Sequence, residues 1–161
     1  MGDLLLHIDP IAETGMLIRK PIAEVFDAIV DPEKITKFWF TKSSGRIEEG
    51  KTVQWDWEMY NVHAHVKVLT VEANKRIVMD WGSDAAGYTR IEWVFTPYEN
   101  NYTFLNVTNS GFKGTGDEVV KKALDSTGGF TWVLAGLKAY LEYGIQLNLV
   151  ADRFPKGFGK R

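Results

Sequence analysis

Two histidines lie at a spacing that could bind a metal ion. His63 and His65 are two residues apart in the segment VHAHVKV, and alternate residues of a β-strand point to the same face. Zinc sites use three or four protein ligands, and no third ligand is evident by spacing. Because Val62, Ala64 and Val66 alternate with the histidines, the apolar core should lie on the other face. The pattern therefore favours solvent-exposed histidines over a metal site.

Four carboxylates fall close together near the start of the chain, at Glu24, Asp27, Asp31 and Glu33. Their positions in predicted short helices are more typical of a solvated helix face than of a catalytic carboxylate pair. The chain has no cysteine, and it contains neither a G-x-S-x-G nor an H-E-x-x-H motif. No catalytic residue, metal ligand or cofactor site is predicted on this basis.

A glycine-rich segment, GFKGTGDE, covers residues 111–118 and precedes a possible helix start. Such a segment could mimic a phosphate-binding loop, but it lacks the G-K-[ST] ending and the parallel strand–helix context. We interpret it as a mobile loop that could gate a cavity.

The length, composition and net charge indicate which class of protein this is. A chain of 161 residues fits one domain, with 45% hydrophobic and 25% charged residues, as in soluble globular proteins. The net charge of −2 gives no basic field for nucleic acid. The start, MGDLLLHIDP, has no basic region of a signal peptide, and no segment has the roughly 20 apolar residues of a membrane span. The absence of cysteine is consistent with a reducing compartment, so we expect a cytoplasmic protein. Because no segment is apolar enough to span a bilayer, we expect no insertion into membranes.

The segment 51–60, KTVQWDWEMY, alternates between apolar and polar residues. This period of two predicts a strand with one buried and one solvated face. The apolar face consists of Val53, Trp55, Trp57 and Met59. Such a face either fills a core or walls a cavity, and the six tryptophans of the chain make both interpretations possible.

Turn residues divide the middle of the chain into an antiparallel meander. Strands are predicted near residues 14–20, 43–48, 51–60, 62–72, 76–81, 87–97 and 101–110. In the strand over 62–72 the apolar side switches at Leu69, which indicates a β-bulge that bends the sheet.

Helical segments are predicted both before and after the meander. One short amphipathic helix follows Pro21, and a second has Asp31 as its N-cap and Ile35, Phe38 and Trp39 as its apolar side. A long C-terminal helix is predicted with Ser126 or Thr127 as its cap. A shorter helix over 117–124 precedes it, and its continuity across Gly128-Gly129 is left open.

Element order and four phrases resemble the START/Bet v 1-like (SRPBCC) superfamily, and within it the family named for homologues of the heat-shock-protein-90 ATPase activator. The phrases are IRKPIAEVFDAIVDPEKITKFWF, RIVMDWG, VTNSGF and GGFTWVLAGLKAYLE. The resemblance implies an α+β helix-grip fold. In that fold a curved antiparallel sheet of about seven strands wraps around the long C-terminal helix, with two short helices between strands 1 and 2. It also implies a cavity between sheet and helix.

Under this layout the alternating strands turn one apolar face toward the helix. We predict an apolar, aromatic-lined site for a hydrophobic ligand, lipid-like or aromatic, with Asn109 as the inward polar group that either orients the ligand or satisfies nearby backbone. The predicted ligand-binding residues are Trp39, Trp55, Trp57, Met59, Trp81, Trp93, Phe95, Asn109 and Leu137.

Two other functions stay open. A co-chaperone type of protein-interaction domain is suggested by the family resemblance, and Trp132 and Tyr143 could form a surface for a chaperone partner or a homodimer. A cavity enzyme of the polyketide cyclase or hydrolase type would need an inward ionisable group, which the predicted strands do not offer. We place a single domain over residues 1–151 and a flexible basic tail over 152–161.

Overall fold

The sheet is built from seven strands in the computed structural model, which describes residues 2–158. The strands are β1 Ala12–Ile18, β2 Lys42–Ser43, β3 Thr52–Trp57, β4 Val62–Glu72, β5 Arg76–Ser83, β6 Gly87–Tyr98 and β7 Tyr102–Ser110. They form one antiparallel sheet in the order β1-β7-β6-β5-β4-β3-β2. The predicted α+β helix-grip architecture is confirmed.

Within the described part of the chain, four α-helices accompany the sheet. They are α1 Ile22–Val30, α2 Pro32–Ile35, α3 Gly116–Tyr143 and α4 Leu149–Asp152, and short 3-10 turns cover Glu58–Tyr60 and Glu99–Asn101. The Asp31 carboxylate accepts from the Glu33 N–H at 2.9 Å, so the predicted N-cap of α2 is confirmed. This helix ends at Ile35 and does not reach Trp39 as predicted, because residues 36–41 form turns. No helix within residues 2–158 combines the length and apolar composition that a membrane crossing requires.

The strand pattern is confirmed with local corrections. The predicted bulge lies between Val68 and Thr70, where the pairing with β5 shifts by one residue. The strand predicted over 43–48 is only two residues long, because Ile47 leaves the sheet and donates its N–H to the Val30 carbonyl at the end of α1. Strand β3 stops at Trp57 and continues as a 3-10 turn.

The start of the long helix differs from the prediction. Ser126 and Thr127 are not its cap, because the helix is continuous across Gly128-Gly129 and begins at Gly116. Thr115 and Glu118 form a reciprocal capping box there. The Asp3 carboxylate also accepts from the N–H groups of Gly116 and Asp117, where a negative charge complements the helix dipole. The segment 111–118 therefore serves in part as the start of α3.

Side chains of α3 occupy the outer edge of β1. Lys138 donates to the Leu17 carbonyl at 2.9 Å and pairs with Glu142 at 2.6 Å. The Glu142 carboxylate accepts from the Arg19 N–H at 3.0 Å. Burial opposes ionisation of Glu142, but these two partners outweigh it and hold its pKa below the ordinary value.

The inner face of α3 lies against the sheet. Phe130, Val133, Leu134 and Leu137 are all at most 4% exposed. Gly136 is also buried, because the turn after α2 comes so close that a methyl group at Gly136 would lie 3.1 Å from Phe38 Cβ. The helix is thus packed against the sheet and against the turn after α2.

The end of the described chain docks on the turn after β3. Tyr60 Oη donates to the Val150 carbonyl and accepts from the Phe154 N–H at 3.3 Å, and the rings of Tyr60 and Phe154 are 6.0 Å apart. The tail predicted over 152–161 extends beyond the described residues at 159–161. Its boundary with the domain stays a prediction.

We predict opposite outcomes for two glycines of α3. Gly129→Ala should raise the free energy of unfolding by about 0.5–1 kcal/mol, since alanine favours the helix and no atom lies within 4 Å of the new methyl group. In Gly136→Ala the free energy of unfolding should stay unchanged or fall, because the new methyl group would lie 3.2 Å from the Phe38 carbonyl oxygen. Urea denaturation measures both, and equal gains would contradict the tight contact.

Candidate ligand-binding site

Aromatic side chains from sheet, helix and the turn after α2 meet between β-sheet and α3. We call this group the aromatic cluster, and its members are Trp39, Phe40, Trp55, Trp57, Trp81, Trp93 and Phe130. Most are fully or nearly fully buried. The cluster lies where the predicted ligand site was placed.

Strand pairing explains how the sheet contributes four of these rings. Trp55 and Trp57 are two residues apart on β3 and point to the same face. Trp55 lies opposite Ala64, whose small side chain leaves room for the indole. Trp81 and Trp93 belong to β5 and β6, and their side chains reach the same space. Alternation on three strands is therefore sufficient to bring these indoles together.

Trp39 occupies the centre of the aromatic cluster. It does not belong to the sheet or to α3, but to the turns of residues 36–41. Its ring centroid lies 4.9 Å from Trp55, 6.1 Å from Trp57, 5.7 Å from Trp81, 5.8 Å from Trp93 and 5.5 Å from Phe130. These are edge-to-face or tilted arrangements, which aromatic pairs prefer. Trp39 is 7% exposed and so fills the space between sheet and helix.

The turn that carries Trp39 has open space on its outer side. A surface depression of about 500 Å³ is lined by Pro32, Glu33, Thr36, Lys37, Thr41, Lys42 and Ser43. Thr36, Lys37 and Thr41, which precede and follow Trp39 in the sequence, therefore border open space.

A hydrogen-bonded group closes one end of the aromatic cluster. Asn109 is 2% exposed and donates to Thr89 Oγ1 at 2.9 Å and to the Arg90 carbonyl at 2.8 Å. Its Oδ1 accepts from Ser126 Oγ at 2.8 Å, and Trp81 Nε1 donates to Thr89 Oγ1 at 3.1 Å. The side chain of Asn109 thus joins β6, β7 and α3. Of the two predicted roles for Asn109, these bonds favour satisfaction of neighbouring protein groups.

The indole N–H of Trp93 differs in its hydrogen bonding from the polar groups around Asn109. Its side chain is fully buried, and its Nε1 has no hydrogen-bond partner within residues 2–158. The rings of Trp39 and Phe130 lie next to it, with centroids at 5.8 and 5.7 Å. An unsatisfied donor is thus present inside the aromatic cluster.

The structure brings together most of the predicted ligand-binding residues. Trp39, Trp55, Trp57, Trp81 and Trp93 are in direct ring contact. In this structure the rings themselves fill the space between the sheet and α3. The role of these residues in binding therefore stays a prediction, as does an open pocket.

Three other predicted residues have different surroundings. Phe95 lies on the buried face but packs edge-on against Phe26 of α1 at 5.2 Å, and Leu137 is buried on α3. The placement of Met59 on the buried face was wrong. It lies in the 3-10 turn after β3 and is 40% exposed, because the strand alternation ends at Trp57.

Four residues of the site were missed. Phe40 stacks on Trp55 at 4.4 Å, and Phe130 contacts Trp39, Trp81 and Trp93. Thr89 shares the alternation of Ile91 and Trp93 on β6, so the period of two could have identified it. Ser126 was instead assigned as a helix cap. Phe40 had no periodic signal, because it lies outside regular secondary structure.

The other candidate chemical groups lie away from the aromatic cluster. His63 and His65 pair with Asp56 and Gln54 across β3 and β4, on the face opposite the indoles. No group of three or more metal-ligating side chains occurs within the described chain.

Asp27, one of the four predicted acidic residues, lies between two basic side chains. It forms ion pairs with Lys34 and Arg46. The hydrogen bond from Lys34 is the main cause of its lowered pKa. This pairing is consistent with a structural role at a helix surface.

Comparison with known proteins finds a matching family and structures with a similar fold. Residues 19–142 match the family described as Activator of Hsp90 ATPase homolog 1-like protein. The crystal structure of SSP2350 from Staphylococcus saprophyticus is 34% identical, with a TM-score of 0.73 over 86% of this chain and 96% of that protein. The chain has no match among the curated proteins.

Two more distant structures share the fold. The Aha1 dimer from Colwellia psychrerythraea, solved in solution, is 20% identical with a TM-score of 0.71, over 84% of this chain and 98% of that one. DynU16, from the dynemicin biosynthetic locus, is 22% identical with a TM-score of 0.74. The match covers 86% of this chain but 49% of DynU16.

We predict that Asn109 is a structural centre of the site. Asn109→Ala should lower the free energy of unfolding by about 1–3 kcal/mol, since it removes a buried group that makes three hydrogen bonds and leaves its partners unsatisfied. Ser126→Ala removes only one of these bonds and should cost about 1 kcal/mol or less. Urea denaturation compares the two. A cost for Asn109→Ala no greater than that for Ser126→Ala would contradict the prediction.

Proposed function

The chain belongs to the family of Activator of Hsp90 ATPase homolog 1-like proteins, and we propose that it is a binding module for an apolar small molecule with flat rings. One observation carries the proposal. The rings of the sheet and of α3 converge on a single side chain, Trp39, which comes from a turn outside both. A flat ligand could make the contacts that the Trp39 ring makes now.

The binding step is an exchange of one ring for another. The surrounding indoles belong to strands and Phe130 belongs to α3, so these rings are held in place when Trp39 leaves. Each aromatic pair contributes about 0.5–1.5 kcal/mol beyond the burial of its surface, and a bicyclic ligand would restore most of these contacts. The cost is the exposure of the Trp39 side chain, which is 7% exposed in this structure. This cost lowers the apparent affinity of the wild-type protein.

We predict that shortening Trp39 strengthens ligand binding. Trp39→Ala should bind naphthalene at least about tenfold more tightly than the wild-type protein, because the space no longer has to be vacated; tenfold corresponds to about 1.4 kcal/mol. Isothermal titration and quenching of the remaining tryptophans measure the affinity. Trp132→Ala is the matched control, since that tryptophan is exposed on α3, and it should bind like the wild type.

Stability limits the choice of variant. Removal of a buried tryptophan side chain commonly costs about 3–5 kcal/mol, so Trp39→Phe provides a milder change that also vacates part of the space. If neither variant nor the wild-type protein binds naphthalene or its nitrogen analogues quinoline and isoquinoline, the binding function is refuted.

A second candidate function is self-association through the exposed side of α3. Trp132 and Tyr143 are 42% and 70% exposed, and they lie about three helical turns apart. Large exposed aromatic side chains are common at protein interfaces. The related fold from Colwellia psychrerythraea is a dimer, which supports a second copy of the chain as the occupant of this surface.

We predict a concentration-dependent dimer that the double variant Trp132→Ser, Tyr143→Ser converts to a monomer. Loss of two aromatic anchors should weaken association at least about tenfold. Sedimentation velocity measures the oligomeric state. A wild-type protein that stays monomeric up to high micromolar concentration would refute the dimer. The exposed Leu124→Ser serves as the control for a general change in surface polarity.

A further inference from the structure

We infer that the ligand of the aromatic cluster carries a hydrogen-bond acceptor in the plane of its ring, and that Trp93 Nε1 donates to it. This inference rests on the proposed function and adds the chemical class of the ligand: a neutral aromatic heterocycle or a ring with a carbonyl oxygen. Trp93 would then determine specificity within a site otherwise governed by shape.

The starting point is the unpaired Trp93 Nε1. More than nine in ten buried polar groups in proteins have a hydrogen-bond partner, and the neighbouring polar groups follow this rule. Trp81 Nε1 donates to Thr89, and both polar ends of Asn109 are used. Within residues 2–158, Trp93 Nε1 is the one fully buried side-chain nitrogen or oxygen without a partner. The cluster thus keeps one donor free.

The ring that carries this free donor lies next to the ring that the ligand replaces. The rings of Trp93 and Trp39 are 5.8 Å apart and inclined by 64°, an edge-to-face arrangement. Carbon rings offer an N–H group only a weak π interaction. A ligand in the place of Trp39 that carries nitrogen or oxygen at this edge would offer a full acceptor instead.

The charge of the ligand follows from the same surroundings. The rings that enclose the Trp39 position are uncharged, and an ion buried there without a partner would be strongly unfavourable. Asn109, Thr89 and Ser126 are already bonded to one another. A neutral acceptor is therefore preferred over a carboxylate or a cation.

The test compares naphthalene with quinoline and isoquinoline, which have nearly the same shape but carry a ring nitrogen. The affinities for Trp39→Ala and for Trp39→Ala with Trp93→Phe are measured at neutral pH by isothermal titration. Loss of the Trp93 donor should lower the preference for the better heterocycle over naphthalene by about 3- to 10-fold, as expected for one hydrogen bond. The ratio of affinities cancels any general change in the size of the space.

A second measurement follows ligand binding in the wild-type protein, without replacement of Trp39. In the wild-type protein, the proton on Trp93 Nε1 can be assigned by NMR through its loss in Trp93→Phe. It should shift strongly downfield with quinoline or isoquinoline and not with naphthalene.

The outcomes separate the two proposals. Binding of all three compounds with an unchanged ratio and no distinct proton shift would overturn the role of Trp93 and leave the binding function intact. Binding of none of them to wild-type protein, Trp39→Phe or Trp39→Ala would overturn both.

Discussion

The ring of Trp39 connects the sheet, the long helix α3 and the turn after α2. Its ring touches side chains of β3, β5, β6 and α3, although it belongs to none of these elements. The turn that carries it is fixed from the other side by the close contact between Phe38 and Gly136. Sheet, helix and turn therefore meet at one ring, and a movement of the turn would uncover the rings that the strands and α3 carry.

The two ends of this cluster have opposite hydrogen-bonding character. Around Asn109 the buried donors and acceptors are matched across β6, β7 and α3, which favours a rigid arrangement. Around Trp93 a buried donor is left unmatched, at a cost that proteins usually avoid. A rigid framework next to an unsatisfied donor is the arrangement expected of a binding site. Such a donor lowers the stability of the free protein and is available to a ligand.

Much of this arrangement could be predicted from the sequence, because period-two alternation determines which face of a strand is buried. It identified the strands, the bulge after Val68 and the shared face of four indoles. It failed at Met59, where the strand becomes a 3-10 turn. The capping box of Thr115 and Glu118 was present in the sequence, but Ser126 or Thr127 was predicted as the cap of the long helix and its continuity across Gly128-Gly129 was left open. The filling of the site by Trp39 could not be foreseen, since turns have no periodicity and their tertiary contacts decide where the ring points.

The contacts of Lys138, Glu142 and Thr131 with β1 have a consequence for how copies of this chain meet in a crowded solution. A sheet that is not closed into a barrel has two margins, and free backbone groups at a margin can template strands of other molecules. Here one margin is obstructed by side chains of α3, and the other ends in the two-residue β2. A partly covered margin and a very short one both disfavour the strand addition that leads to amyloid-like polymerisation, and the helix that packs on the aromatic rings supplies the first of these features.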